Sequence, residues 1–166
     1  MFLIIFSERV VIAGMKRRNL MMGLAGFAAA LGTARAQEAT AIHEVVELHA
    51  SPHRVYEALL DSKQFTAFSG LPGEIHRDAG GTFSLFDGQI TGRNVELIPD
   101  KRIVQAWRAA SWPEGVYSIA RFELEAQGTG TRVALDHTGF PAGLKEHLAE
   151  GWQGHYFGPM KKYFGG

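Results

Sequence analysis

The stretch AGGTFSLFDGQITGRNVELIPDKRIVQAWRAASWPEG, from Ala79 to Gly115, decides the fold of this chain. Asp87-Gly88 is a strong β-hairpin signal, because both residue types tolerate a positive φ. Pro99-Asp100-Lys101 and Trp112-Pro113-Glu114-Gly115 are the next two turn sequences. Three runs of strand-forming residues lie before these turns, at Thr82–Phe86, Gln89–Ile98 and Arg102–Ala110. The stretch therefore predicts three successive antiparallel strands, and it contains no plausible catalytic set.

Two further strands are predicted after this stretch. Val116 to Ala126 alternates regularly, with Ala120, Phe122 and Leu124 on one face and charged residues on the other. The turn sequence Gln127-Gly128-Thr129-Gly130 then leads to a last strand, from Thr131 to His137. Its inner face is expected to carry Val133, Leu135 and His137. These two strands extend the sheet that the central stretch begins.

One long helix is predicted at the C-terminal end, from about Leu144 to Phe164. Gly158-Pro159 predicts a kink in it, because proline has no N–H to donate to the carbonyl four residues back. The apolar side chains that recur near one face of this helix are Leu148, Trp152, Tyr156, Met160 and Tyr163.

A strand and two short helices are predicted before the central stretch. Ala41 to Ala50 is a β-branched run with partial alternation, typical of a strand. Ser51-Pro52 starts a helix that continues from His53 to Leu60, since serine caps helices and proline suits the first helical position. Asp61-Ser62 starts a second helix. This second helix is predicted over Lys63–Phe68. A short strand is predicted after it, over Glu74–Arg77.

The order of elements is therefore β-α-α, about six strands as a meander, and one long helix. A curved antiparallel sheet needs a partner to cover its apolar inner face. The C-terminal helix is the only predicted element long enough to do so. We predict an α+β fold in which a curved antiparallel sheet wraps around the long C-terminal helix, with two short helices after strand 1.

Composition limits the function classes. The chain has 166 residues, 46% of them hydrophobic and 20% charged, as expected for a globular domain with a real core. The formal net charge is zero, which argues against a nucleic-acid partner. Cysteine is absent, so disulfides, thiol nucleophiles and cysteine-ligated zinc are excluded. We expect no cofactor and no metal ion.

Residues 1–36 are predicted to be a leader, and residues 37–166 the domain itself. A positive segment from Lys16 to Arg18, an apolar run from Leu20 to Leu31 and the Ala34-Arg35-Ala36 sequence form a signal-peptide pattern. Cleavage is expected between Ala36 and Gln37. The apolar run is too short to span a bilayer, and we expect the mature domain not to cross a membrane.

The same leader indicates where the protein functions. Arg17-Arg18 followed by apolar residues resembles a twin-arginine export signal, so a twin-arginine-like or general signal peptide predicts a periplasmic protein. The alternative is a cytoplasmic protein whose first residues form a buried helix. Gly23, Gly26 and Gly32 weaken that alternative, since glycine destabilises helix interiors. Met15 is the predicted true start of translation.

Titratable side chains give little sign of catalysis. The chain has seven histidines, and none lies in a recognised metal-binding spacing. His137 is expected to point inward, as a hydrogen-bonded core histidine or, alternatively, as a general acid or base. Glu44 faces inward only if strand 1 presents Ile42, Val46 and Leu48 to the core.

Aromatic and apolar residues are the main candidates for a binding site. They are expected to lie between sheet and helix, where they either form a packed core or line a cleft for an apolar ligand. The candidate cleft residues are Phe65, Phe68, Phe83, Leu85, Trp107, Phe122, Leu135, His137, Phe140, Trp152 and Tyr156.

Several motifs in the right order resemble the C-terminal domain of the activator of Hsp90 ATPase homologue family. The central stretch carries the resemblance, from Gly80 to Gly115. Further matches are EALLD at Glu57–Asp61 with Phe65–Phe68, GTRVALDHTGFP at Gly130–Pro141 and GWQGHYFGPMKKYFG at Gly151–Gly165. The resemblance covers about Ala41 to Gly165. It implies the helix-grip fold of the START-like, or SRPBCC, superfamily.

The resemblance leaves three functions open. The first is a non-catalytic domain that binds a small hydrophobic ligand or a protein segment in the cleft between sheet and C-terminal helix. The second is a co-chaperone-like activator of Hsp90 ATPase, with a protein client or chaperone as partner. The third is a small, cyclase-like enzyme acting on a ligand in the cleft. Eukaryotic co-chaperones of the family are cytosolic and carry an additional N-terminal domain, for which residues 1–36 are too short.

Overall fold

The sheet dominates the molecule. The computed structural model describes residues 40–165, and these form a curved antiparallel sheet of seven strands in the order β1-β7-β6-β5-β4-β3-β2. The predicted leader, its cleavage site at Ala36 and Gln37, and the start at Met15 lie outside the described residues. The strands are β1 (Ala41–Leu48), β2 (Gly73–Ile75), β3 (Thr82–Leu85), β4 (Ile90–Ile98), β5 (Arg102–Ala109), β6 (Ser118–Gln127) and β7 (Gly130–Thr138).

Alternation sets which side chains face inward, as predicted. On β6, Ala120, Phe122 and Leu124 are buried, while Arg121 and Glu125 on the other face are exposed. Phe122 pairs with Leu135 of β7, so the inner faces of the two strands coincide. A one-residue slip would move every apolar side chain to solvent, and this fixes the register.

The β3–β4 hairpin confirms the Asp87-Gly88 prediction. Asp87 and Gly88 have φ values of 56° and 79°, and the Gln89 N–H donates to the Phe86 carbonyl at 3.3 Å. This is the backbone of a tight turn with positive φ at both central residues. Phe86 itself also has a positive φ of 53°, which a bulky residue rarely adopts. The left-handed backbone at Phe86 places a buried aromatic ring at the tip of the hairpin.

Two short helices follow β1, as predicted. They are α1 (Pro52–Leu60) and α2 (Ser62–Ser69). The Ser51 hydroxyl accepts a hydrogen bond from the Arg54 N–H at 3.4 Å, and the Asp61 carboxylate accepts from the Lys63 and Gln64 N–H groups at 3.1 and 2.9 Å. These caps satisfy N–H groups that a helix start leaves unpaired.

The C-terminal helical segment covers the predicted range and contains a π-helical turn that was not predicted. It consists of α3 (Lys145–Gly151), a π-helical segment (Trp152–Phe157) and α4 (Gly158–Tyr163). The Gly158 N–H donates to the Gln153 carbonyl, five residues back. Pro159 has no N–H for the next bond of an ordinary helix, and the widened turn before it accommodates this loss.

Because of the widened turn, the aromatic residue that is buried at the end of the chain is Phe164 and not the predicted Tyr163. Tyr163, predicted on the apolar face, is 38% exposed, whereas Phe164 is 7% exposed. Buried residues recur every fourth position, at Trp152, Tyr156 and Met160, and Phe164 continues that spacing. A π-helical turn holds more residues than the 3.6 of an α-helix, so a four-residue spacing stays on one face.

Candidate ligand-binding cavity

A cavity of about 540 Å³ lies between the sheet and the C-terminal helical segment. Trp107 and Ala109 of β5 form its floor, and Trp152 and Tyr156 of the π-helical segment form its roof. Phe86, at the tip of the β3–β4 hairpin, lines one side. The volume falls within the range of about 300–1,000 Å³ that is usual for small-molecule sites.

Aromatic rings make up most of the buried wall. All three tryptophans of the chain line the cavity, since Trp112 joins Trp107 and Trp152. The Trp107 ring centroid lies 5.5 Å from that of Trp112 and 5.7 Å from that of Trp152. Tyr156 lies 4.4 Å from Trp152 and 5.2 Å from Phe86. These separations are those of tilted and edge-to-face aromatic pairs.

The mouth of the cavity is polar. His147 of α3 and His155 of the π-helical segment line it with exposed side chains. The His155 ring lies 5.9 Å from the Phe86 ring, so the hairpin tip and the helical segment face each other there. The other exposed polar residues at the mouth are Gln89, Ser111 and Glu150.

Two buried polar atoms of the wall make no hydrogen bond of ordinary length and angle within residues 40–165, although they interact with each other. They are Trp107 Nε1 and the Tyr156 hydroxyl oxygen, and their side chains are only 4% and 5% exposed. Burial raises the pKa of the Tyr156 phenol far above its ordinary value, and the neighbouring Trp107 N–H opposes that rise. The phenol is therefore protonated, and its O–H is a donor without an acceptor.

Behind the cavity wall, a series of hydrogen bonds links Trp152, His137, Ser118 and the Trp107 carbonyl. Trp152 Nε1, which can only donate, lies 2.9 Å from His137 Nδ1, so His137 carries its hydrogen on Nε2. His137 Nε2 lies 2.7 Å from Ser118 Oγ, and the Ser118 hydroxyl donates to the Trp107 carbonyl at 3.1 Å. Burial lowers the pKa of His137 to about 4. His137 is thus a neutral core histidine whose two nitrogens are both satisfied.

His137 does not form a catalytic pair with Glu44. In the β1–β7 register His137 pairs with Ile42, whereas Glu44 pairs with Leu135. The Glu44 carboxylate accepts a hydrogen bond from Gln153 at the surface. Neither His137 nor Glu44 lines the cavity. The arrangement gives no support to general acid–base chemistry by these two residues.

The structure divides the predicted cleft residues into two groups. Trp107, Trp152 and Tyr156 line the cavity. The others do not line it and belong to the buried core around it, where each is less than 9% exposed: Phe65, Phe68, Phe83, Leu85, Phe122, Leu135, His137 and Phe140. A role in binding stays a prediction for all of them.

Sequence reasoning missed several lining residues. The sequence pattern places Phe86 at a strand end, whereas the structure places it at the hairpin tip facing the helix. The sequence pattern places Trp112 in a turn, whereas the structure buries its ring against the cavity. The remaining apolar lining residues are Leu71, Ile90, Ala109, Leu144 and Leu148. Their signal in the sequence is weak, because four of them lie in loops or at strand ends.

Residues 40–165 contain neither a metal-binding cluster nor a membrane-spanning helix. No group of three or more His, Asp or Glu side chains in this part of the chain is arranged to hold a metal ion. None of the helices formed by these residues has the length and hydropathy needed to cross a bilayer.

Comparison with known proteins gives the family. The family model described as activator of Hsp90 ATPase homolog 1-like protein matches residues 49–165. The human activator of 90 kDa heat shock protein ATPase homolog 1 is 33% identical over 115 residues, which are 69% of this chain and 34% of the human protein. The homologue from Dictyostelium discoideum is 32% identical over 119 residues, 71% of this chain and 31% of its own length.

A solved structure agrees with the sequence relatives. An HSP90 activator from Plasmodium falciparum superposes with a TM-score of 0.72 at 26% identity, covering 76% of this chain and 96% of that one. The chain spans only about a third of the length of the curated relatives that it matches. Fold, motifs and comparisons agree, and the chain belongs to the activator of Hsp90 ATPase homolog 1-like family, with the helix-grip fold of the SRPBCC superfamily.

Proposed function

We propose that this protein is a non-catalytic domain that binds a small, mainly apolar ligand in the cavity between the sheet and the C-terminal helical segment. The observation that carries the proposal is a cavity of about 540 Å³ whose buried wall consists largely of aromatic rings. A core that only packs against itself leaves few voids larger than a water molecule. Apolar interiors with a few polar groups at the mouth are the usual form of small-molecule sites.

The test is a substitution on the cavity floor that places a larger side chain in the cavity. Ala109 lies on the cavity side of β5, whereas Ala106, three residues earlier, lies on the outer face next to Ile119 of β6. Ala109→Phe places a ring in the cavity, and Ala106→Phe places the same ring on the outer face. Native mass spectrometry of protein purified from its own host is expected to show a ligand on the wild type and on Ala106→Phe, and none on Ala109→Phe. A ligand retained by Ala109→Phe would place binding elsewhere, and no ligand on any of the three would count against the proposal.

A second function, activation of an Hsp90 ATPase, is favoured by the names of the relatives. We infer that such an activity would use the outer face of the sheet, where Ile119 is 41% exposed beside Ala106. The predicted export signal argues against it, since an exported protein would not normally meet Hsp90 or ATP. Cell fractionation and N-terminal sequencing test that premise: a periplasmic protein starting at Gln37 supports export, and recovery of Phe2 contradicts the predicted start at Met15.

The same two variants separate the functions in an ATPase assay with the host's Hsp90 homologue. If the outer face binds the ATPase, Ala106→Phe reduces stimulation and Ala109→Phe leaves it unchanged. Ligand binding is expected to show the opposite pattern. Absence of any stimulation by the wild type would remove the second function and leave the first untouched.

A further inference from the structure

We propose that two copies of this chain pair along their β1 strands, antiparallel and about a twofold axis at Val45, so that their two sheets form one. The interface is isologous, because both copies contribute the same surface. The inference does not depend on the proposed function, since no residue of β1 (Ala41–Leu48) lines the cavity.

The outer edge of β1 carries the inference. In the sheet formed by residues 40–165, β1 is a terminal strand and has β7 as its only neighbouring strand. The Gly139 N–H of the β7 side donates to the Thr40 carbonyl at 2.9 Å, so Thr40 and every second residue after it direct their backbone groups toward β7. The backbone N–H and C=O groups of the odd-numbered residues, from Ala41 to Glu47, therefore point away from the sheet. A further strand can pair with such groups.

This edge has none of the usual protections against pairing. Natural sheets protect an edge strand with proline, lysine, a bulge or a short length. The sequence of β1 is AIHEVVEL, and its eight residues pair with β7 without a register shift. The strand at the other end of the sheet, β2, has only three residues. A surface depression of about 450 Å³ lies along the first half of β1, lined by Ala41 to Glu44, so the described residues leave space beside the strand.

Charge decides between the possible registers of a β1–β1 pair. Because the outward backbone groups belong to odd-numbered residues, odd-numbered residues have to face one another. A twofold axis at Glu44 or Glu47 would place two carboxylates directly opposite, and an axis at His43 would place two histidines opposite. Like charges in directly opposite positions are destabilising. An axis at Val46 would place Glu47 opposite the apolar Val45. An axis at Val45 pairs Val45 with itself and places His43 opposite Glu47 on both sides.

The exposed side chains of β1 suit the register with the axis at Val45. Val45 is 43% exposed, and contact with Val45 of the second copy removes apolar surface from water. His43 and Glu47 are exposed on the same face of the strand. His43 Nδ1 lies 2.6 Å from Asp136 Oδ1, which leaves Nε2 for the second copy. A protonated His43 can donate from Nδ1 to Asp136 and from Nε2 to the Glu47 carboxylate of the second copy.

Analytical ultracentrifugation of protein purified from its own host tests the dimer. Val45→Lys places two lysines opposite each other at the axis. Val95→Lys is the matched control, because Val95 is 53% exposed on β4, which has β3 and β5 on its two sides. The wild type and Val95→Lys are expected to be dimers, and Val45→Lys is expected to raise the dimer dissociation constant at least about tenfold. A single cooperative urea transition shows that each variant is folded.

Disulfide cross-linking tests the register, because the chain has no cysteine of its own. Opposite residues of a hydrogen-bonded antiparallel pair have Cα atoms about 5.5 Å apart, within the range of a disulfide. Val45→Cys is therefore expected to form a covalent dimer under mild oxidation. His43→Cys alone and Val95→Cys are not expected to cross-link, whereas a mixture of His43→Cys and Glu47→Cys is.

Three results would overturn the proposal. The first is a wild type that sediments as a monomer, which is the result expected if another segment, of this chain or of another protein, occupies the edge of β1. The second is a dimer that Val45→Lys leaves intact. The third is cross-linking by Val95→Cys, or by His43→Cys alone, without cross-linking by Val45→Cys. None of these results bears on ligand binding in the cavity, so the two proposals fail separately.

Discussion

His137 shows at the scale of one residue how a titratable group becomes part of the core. Its ring lies among Trp107, Phe140 and Trp152, with centroids 5.0 to 5.4 Å away, and no charged group within residues 40–165 pairs with it. Both ring nitrogens are used in a chain that runs from Trp152 to Ser118. A second proton on Nδ1 would face the Trp152 N–H, so the chain holds only a neutral histidine.

The pH dependence of stability follows from this chain. Unfolded histidine has a pKa near 6.5, and burial lowers the pKa of His137 to about 4 in the folded protein. Between these values the unfolded state binds the extra proton, so the free energy of unfolding falls as the pH falls. The expected loss is about 1.4 kcal/mol per pH unit and about 3 kcal/mol between pH 6.5 and 4. Urea unfolding across this range measures it.

His137→Gln provides the matched variant, because glutamine retains a donor and an acceptor but does not titrate here. Its free energy of unfolding is expected to vary much less between pH 6.5 and 4.5. His49→Gln, at an exposed histidine, is expected to keep the wild-type slope. Hydrogen bonds from Arg121 and then His43 lower the pKa of the Asp136 carboxyl, so the Arg121–Asp136 ion pair is lost only as the pH falls through that lowered pKa. An unchanged slope in His137→Gln would mean that another group causes the loss.

At the scale of elements, the strands and turns were predictable because their causes are local. Alternation fixed the inner face of β6, and Asp87-Gly88 fixed the hairpin, since each pattern has one low-energy backbone solution. The same holds for the Ser51 and Asp61 caps. The open cavity was not predictable, because aromatic residues at helical or strand spacing are equally compatible with a filled core.

The π-helical segment is the part of the predicted C-terminal helix that the apolar pattern does not indicate. Apolar spacing predicted one kinked helix, whereas the structure widens the turn before Pro159 and keeps Trp152 and Tyr156 over the cavity. Periodicity over a window cannot separate 3.6 residues per turn from a local insertion. The consequence is functional, because this segment supplies the roof of the site.

Two glycines of the C-terminal segment give a matched test of the π-helical turn. A Cβ at Gly158 would lie 2.8 Å from the Gln153 carbonyl oxygen that accepts its N–H, whereas a Cβ at Gly154 meets nothing within 4 Å. Gly158→Ala is expected to lower the free energy of unfolding by about 1–3 kcal/mol. Gly154→Ala is expected to raise it by about 0.5–1 kcal/mol, since alanine restricts the unfolded chain. Urea denaturation of both variants measures the difference, and equal stabilities would contradict the widened turn.

At the scale of the whole molecule, family membership indicates the fold, whereas the cavity indicates the function. Family membership follows from the match over residues 49–165 and from the helix-grip fold. Function depends on the site, because one fold carries many activities. The sheet supplies a rigid floor through Trp107 and Ala109, and the C-terminal helical segment supplies a roof of its own geometry. Ligand binding therefore depends on whether this roof leaves the cavity open.

Diffraction from crystals held under xenon pressure tests that point most directly. Xenon occupies apolar cavities and needs no knowledge of the ligand. We expect xenon between the sheet and the C-terminal helical segment, against the rings of Trp107 and Trp152, and none at this position in Ala109→Phe. A map in which Trp152 or Phe86 fills the space and no xenon binds there would contradict the account.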